Sequence, residues 1–174
     1  MSSLAEAIRT VPDFPKPGIM FRDITTLLKD PTSFQKASEA MYERYKDAGI
    51  QKVVAVESRG FIFGAALALR LGAGFVPIRK KGKLPARTLK QEYDLEYGTD
   101  SVEIHEDAIK PGERVLLHDD LLATGGTMGA ACKLVEQLKA DIVGLSFLIE
   151  LNFLHGREKL RPYTVFSLIQ YEAE

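Results

Sequence analysis

Apolar positions along the chain fall into two rhythms. Phe34, Ala37, Met41 and Tyr45 recur at helical spacing, which predicts a helix from about Ser33 to Ala48, capped by Asp30 or Thr32 and ended by Gly49. A shorter amphipathic helix is expected at the start, with Leu4, Ile8 and Val11 on one side. In contrast, "KVVAVE" (Lys52 to Glu57) is a continuous apolar run stopped by a charge. That is how a strand buried on both faces of a parallel sheet reads. The runs "GFVPIRK", "VLLH", "DIVGLSFLIEL" and "YTVFSLIQ" repeat the signal, the last as an edge strand. Between them, "SRGFIFGAALALRLG" and the stretch from Gly125 to Lys139 read as helices, the second with an apolar stripe of Met128, Cys132, Val135 and Leu138. Strand, helix, strand in this order predicts an α/β domain with right-handed crossovers.

Two segments interrupt the pattern. In "PDFPKPGIMFRD" three prolines fix φ and restrict their predecessors, so Pro12 to Phe21 is expected as an ordered loop. Residues 80 to 104 carry a basic start, a proline and two alternating stretches around Tyr97-Gly98, which predicts an antiparallel excursion serving as a lid.

Length and composition narrow the class. At 174 residues the chain is expected to be a single domain, 1-174, and it needs no covalent staple. The formal net charge of -1 argues against a general nucleic-acid binder. Cys132 is the only cysteine, so no intramolecular disulfide or cysteine zinc cluster is available and a reducing compartment is expected. With no signal-peptide core and no run of 18 apolar residues, the expectation is a cytoplasmic protein without a membrane partner.

The chemistry concentrates in "VLLHDDLLATGGT", Val115 to Thr127. Two carboxylates, Asp119 and Asp120, end an apolar run, and a Gly/Thr-rich turn leads into a helix. The unpaired first amides of that helix, with the hydroxyls of Thr124 and Thr127, suit a phosphate. The carboxylates suit a sugar diol or a hydrated Mg²⁺. A phosphorylated sugar satisfies both halves. No lysine follows the glycines and G-x-G-x-x-G is absent, so this is neither a Walker A loop nor a dinucleotide fingerprint. His118, just before the acids, reads as a packed neutral histidine or, less simply, as a ligand.

This stretch resembles the signature of the type I phosphoribosyltransferases. "FPKPGIMFRDIT", "ESRGFIFG", "IRKKGKLP", "LEYGTDSVEIH" and the C-terminal "LHGREKL" and "FSLIQYE" resemble the adenine-specific branch of that family, in the same order, from about Pro12 to Glu172. The resemblance implies a parallel-sheet fold with flanking helices and an antiparallel flap (about 80-104) over the active site, with a base-binding N-terminal region at about 1-32. It implies transfer of ribose 5-phosphate from phosphoribosyl pyrophosphate (PRPP) to adenine, giving AMP and pyrophosphate in purine salvage. It assigns Asp119 and Asp120 to the ribose hydroxyls and Ala123, Thr124, Gly125, Gly126 and Thr127 to the 5′-phosphate. Glu57, Ser58, Arg59, Lys80 and Lys83 fall to pyrophosphate, Arg59 also counting as catalytic, and Glu57 stands where the family often has Asp. Adenine falls to Met20, Phe21 and Arg22, where Phe21 as plain packing is an equal reading. The flap residues Glu96 and Tyr97 are implied as catalytic, the glutamate handling a purine proton. A Mg²⁺ cofactor carried by PRPP and water, and a homodimer in which one basic residue reaches the neighbouring subunit's site, complete the picture.

Two alternatives stay open on the residues. One is a nucleic-acid-binding regulator on the same fold, against which the near-zero charge counts. The other is transfer to a different nucleobase. A 6-oxopurine needs a donor for O6, typically a strand-end lysine, and "LIELNFLHGREKL" offers none there, Lys159 lying later.

Overall fold

The computed structural model describes residues 4-95 and 98-173. A seven-stranded sheet forms its centre, built from β3 (Lys52–Val56), β4 (Gly74–Lys80), β5 (Thr88–Asp94), β6 (Thr99–His105), β7 (Arg114–Leu122), β8 (Asp141–Leu151) and β9 (Val165–Tyr171). Its order is β5-β6-β4-β3-β7-β8-β9. The pairs β3-β4, β3-β7, β7-β8 and β8-β9 are parallel, while β6 joins β4 and β5 antiparallel. β9 is an edge strand, as its sequence predicts. A separate two-stranded ribbon pairs β1 (Arg9–Val11) with β2 (Phe21–Asp23).

Successive side chains of a strand point to opposite faces, and the core divides accordingly. Val54, Val56, Val115 and Leu117 face α4 (Gly126–Gln137), where Met128, Cys132 and Val135 are buried. Val53 and Leu116 face α3 (Gly60–Leu71) and α2 (Pro31–Tyr45), meeting Phe63, Leu67, Met41 and Tyr45. Helices on both faces explain why the central strands are apolar without alternation. Helix α3 lies close to the sheet because Gly64 carries no side chain. A Cβ there would fall 2.6 Å from the Ala55 Cβ.

The local departures have physical causes. The N-terminal helix is reduced to a 3-10 turn, Leu4–Ala7, and Arg9–Val11 is extended, because pairing with β2 supplies the backbone hydrogen bonds a short helix would otherwise make. A short helix α1 (Thr25–Lys29) precedes α2, and α2 begins with Asp30 accepting from Ser33 N at 2.9 Å and Pro31 in its first turn. It ends at Tyr45, before Gly49. The prolyl loop is closed by its own bonds, Gly18 N to Asp13 Oδ1 at 2.7 Å and Phe14 N to Ile19 O at 3.3 Å.

Strand β7 outruns its expected end at His118. Its ladder to β3 stops at His118, but its ladder to β8 continues to Leu122. The two acids therefore lie inside a strand that has lost one neighbour. The backbone is held from the β8 side, and the β3 side is left to the loop after Val56.

Candidate functional site

The site opens where β3 ends. Val56, the loop Glu57 to Arg59, Lys80, Asp119 to Leu121 and Thr127 line a cleft of about 430 Å³. The structure thus gathers the acidic pair, the Glu57–Arg59 loop and Lys80, segments far apart in sequence, around one space. Close approach of α3 to β7 fixes this spacing. A Cβ on Gly60 would lie 2.9 Å from Asp119 Oδ1 and 3.2 Å from its Cα, so glycine is required by contact, not by φ.

Asp119 Oδ1 accepts from the Asp120 amide at 2.8 Å, and Asp120 Oδ2 lies 2.7 Å from Arg59 Nε. Burial and the adjacent Asp120 charge push the Asp119 carboxyl well above its ordinary range. Burial raises Asp120 too, opposed by Arg59. His118 is wholly buried, and burial lowers it to about 4, offset only in part by the Ser146 backbone. It is neutral and packs edge-on toward Phe63 with ring centroids 6.5 Å apart.

Glu57 is held by both oxygens. Oε2 accepts from Arg79 Nε at 2.7 Å and Oε1 from the Lys80 amide at 2.8 Å. Burial would raise this carboxyl, but those bonds outweigh it and the net shift is downward. Glu57 thus ties its loop to the end of β4. Lys80 Nζ donates to Tyr93 Oη at 2.8 Å and forms an ion pair with Asp100, linking β4 to the β5-β6 hairpin. Lys81 and Lys83 are exposed on the following turn.

Beyond the acids, Gly125 turns the chain at φ 81 and α4 starts at Gly126 with no side-chain cap, which leaves its first amides for an anion. The hairpin leans on this point. A Cβ on Gly126 would be 3.5 Å from the Tyr93 ring and 3.6 Å from Asp94 O.

A second, more apolar cleft of about 460 Å³ lies between the ribbon and the first. Val11, Phe14, Phe21, Asp23, Thr25 and Arg59 line it. The Phe14 and Phe21 rings meet edge to face at 5.0 Å, and the Arg59 guanidinium lies 5.1 Å from the Phe21 centroid. Arg59 is common to both clefts. Of the base-site candidates, Phe21 lines this space. Arg22 is instead engaged with Thr10 Oγ1 at 2.5 Å and over the Tyr171 ring at 4.0 Å, and Met20 is exposed nearby in the chain. Phe14 was not among the sequence candidates, and its place between two prolines was its only signal. Glu96 and Tyr97 lie outside the described residues. No group of three or more His, Cys, Asp or Glu poised for a metal occurs among the described residues, and no helix among them is long and apolar enough to cross a membrane.

An acidic pair within a parallel strand, followed by an uncapped glycine turn into a helix and faced by Arg59 from the loop after the neighbouring strand, defines a sugar-phosphate transferase site. The phosphoribosyl transferase domain model matches residues 23–173, and the chain belongs to that family. Its relatives place it among the adenine phosphoribosyltransferases. The enzyme of that name from Acidobacterium capsulatum is 61% identical over 168 residues, 97% of this chain and 93% of its own. The crystal structure of adenine phosphoribosyltransferase from Thermoanaerobacter pseudethanolicus is 53% identical, with a TM-score of 0.94 over 97% of this chain and 100% of that one. The Saccharomyces cerevisiae enzyme, complexed with an imino-altritol bisphosphate and adenine, is 46% identical, with a TM-score of 0.91 over 95% of this chain and 96% of its own.

Proposed function

We infer that the chain is an adenine phosphoribosyltransferase, a pentosyltransferase of purine salvage that converts adenine and PRPP to AMP and pyrophosphate. The observation that carries this reading is the pair of adjoining clefts that share Arg59. One is acidic and basic by turns, as a ribose bearing a phosphate and a pyrophosphate requires, and the other is apolar and aromatic, as a purine requires.

The residues divide the work. Asp119 and Asp120 accept hydrogen bonds from the ribose hydroxyls. The backbone of Ala123 to Thr127, with the Thr124 and Thr127 hydroxyls, takes the 5′-phosphate at the start of α4. Ser58, Arg59, Lys80 and Lys83 stand around the pyrophosphate, with Arg59 forking onto its oxygens. Adenine lies against Phe21, with Met20 and Arg22 on the same segment. As pyrophosphate leaves C1′, the sugar gains positive charge, the two acids lie beside it, and N9 attacks from the opposite face. Rate enhancement is positional and electrostatic. The β5-β6 hairpin closes over the bound sugar to exclude water, and Glu96, which with Tyr97 falls between its two strands in the sequence, handles the purine proton.

Magnesium fits this site as a passenger of the pyrophosphate. Both Glu57 oxygens are already engaged, so the ion would be held by substrate oxygens and water, with the Asp119 and Asp120 carboxylates available to receive its water shell. When bound, it neutralises the leaving group.

The protein is proposed to act as a cytoplasmic homodimer of single-domain subunits. The outer face of α3 and the start of β4 expose Ile62 (40%), Leu69 (83%) and Phe75 (37%), an apolar patch suited to a second copy. The basic turn at Lys80 to Lys83 follows directly on that strand. A PRPP-dependent assay with each free nucleobase tests the function. AMP from adenine is expected, and nucleotide from hypoxanthine or guanine but not adenine would overturn the reading.

A further inference from the structure

The phosphate loop rests on a neighbour that belongs to neither cleft. Gly156 is buried and opens α5 (Gly156–Lys159). A Cβ on it would lie 2.1 Å from the Ala123 carbonyl oxygen and 3.0 Å from Gly125 N, while a Cβ on Gly125 would lie 2.6 Å from Gly156 O. The two backbones face each other with no room for a methyl group on either.

A four-residue helix cannot hold such a contact by itself. The residue after Gly156 is tied to the sheet. Arg157 Nε donates to Glu150 Oε1 at 2.9 Å, its Nη2 donates to Glu150 Oε2, and its Nη1 donates to the Val165 carbonyl at 2.8 Å. The Ser167 hydroxyl donates to Glu150 Oε2 at 2.6 Å. Glu150 is 3% exposed and sits in β8, in register with Leu122 of β7 and Gln170 of β9. Burial would raise its carboxyl, but Arg157 and Ser167 outweigh that and keep it ionised. A buried ion pair is a poor way to add stability, since an apolar pair of like volume often serves as well. A bidentate fork does fix direction, which an apolar contact does not. The connection runs from the sheet through Glu150 and Arg157 to Gly156, and from Gly156 to the backbone of Ala123 to Gly125.

We propose that Glu150, Arg157 and Gly156 are positioning residues that hold the 123–127 loop in its phosphate-binding curvature before substrate arrives. The inference rests on that loop being the 5′-phosphate site. Amides already aimed at an anion need no ordering when it binds, so loosening the buttress costs affinity for the phosphate and not for ligands held elsewhere.

The test measures calorimetric binding of ribose 5-phosphate and, separately, of pyrophosphate, to the full chain without adenine. Gly156→Ala is expected to weaken ribose 5-phosphate by at least about tenfold and Arg157→Lys by about threefold, with pyrophosphate affinity kept within about twofold in both. Unchanged ribose 5-phosphate affinity in folded Gly156→Ala overturns the proposal, as does equal weakening of both ligands, which would mean general loosening. Should Gly156→Ala not fold, Arg157→Lys decides on the same criteria, because it keeps the charge and loses the fork. Wild-type protein that binds pyrophosphate but not ribose 5-phosphate overturns the assignment of the loop itself, a failure distinct from the first two.

Discussion

Asp119 sits at the cost of stability. Its folded-state pKa is raised by burial and by Asp120, so its ionised form disfavours the fold at neutral pH. The penalty is absent below the unfolded carboxyl's pKa and grows as pH rises above it. Asp119→Asn should therefore melt higher than wild type at pH 7.5 while losing activity, and the difference should shrink as pH falls toward 4. A lower melting temperature at pH 7.5 would contradict this. The neighbouring histidine is a contrast. His118 is buried and neutral, and neither ring nitrogen makes a well-formed hydrogen bond among the described residues. His118→Leu should keep kcat within about twofold and raise stability by about 1 kcal/mol, since no buried polar group is left unpaired. Denaturant titration and steady-state rates check both. At this scale the candidate cluster was legible as one place in the fold. The acids, the glycine turn and Arg59 announce themselves by type and spacing. Phe14, Gly156 and the pairing of Glu57 with Arg79 do not, because each depends on a partner distant in sequence.

Among the elements, long buried strands were the most readable, and short ones were misread where pairing overrides local preference. Arg9–Val11 is a strand only because β2 lies beside it, and β7 continues past His118 only because β8 does. The excursion at 80–104 is the antiparallel hairpin expected, with β5 and β6 paired from Thr88↔His105 to Asp94↔Thr99. What the alternation could not reveal is its clasp. Lys80 is bound to Tyr93 and Asp100 of the hairpin, so a Lys80 that turns to pyrophosphate must leave them. Asp100→Asn should weaken the clasp and make the hairpin more sensitive to protease without PRPP, while saturating PRPP restores protection. Equal digestion of wild type and variant would count against it. Glu96→Gln should lower the single-turnover rate of AMP formation by about 10²-fold, the low end for an acid-base group, with little change in the KM for PRPP.

At the scale of the whole molecule, the α/β class followed from the order of buried runs and helical periods, and the sheet order did not, since register and neighbours are set by packing across the chain. The proposed subunit association would use a surface whose exposure sequence alone does not display. Leu69 is 83% exposed on a helix whose other face is core. If the chain dimerises through this face as proposed, Leu69→Lys should shift it toward monomer in sedimentation with little loss of helix content. A variant as dimeric as wild type would place the interface elsewhere.

The central claim is that the acids of β7 grip the ribose while the adjoining aromatic cleft presents adenine. The most direct measurement is formation of AMP from adenine and PRPP by wild type, Asp119→Asn and Asp120→Asn under identical conditions. Wild type should yield AMP and pyrophosphate in equal amounts, and each amide should lower kcat/KM for PRPP by at least about tenfold, or about 1.4 kcal/mol of transition-state stabilisation. Wild-type kinetics in both variants would contradict the account.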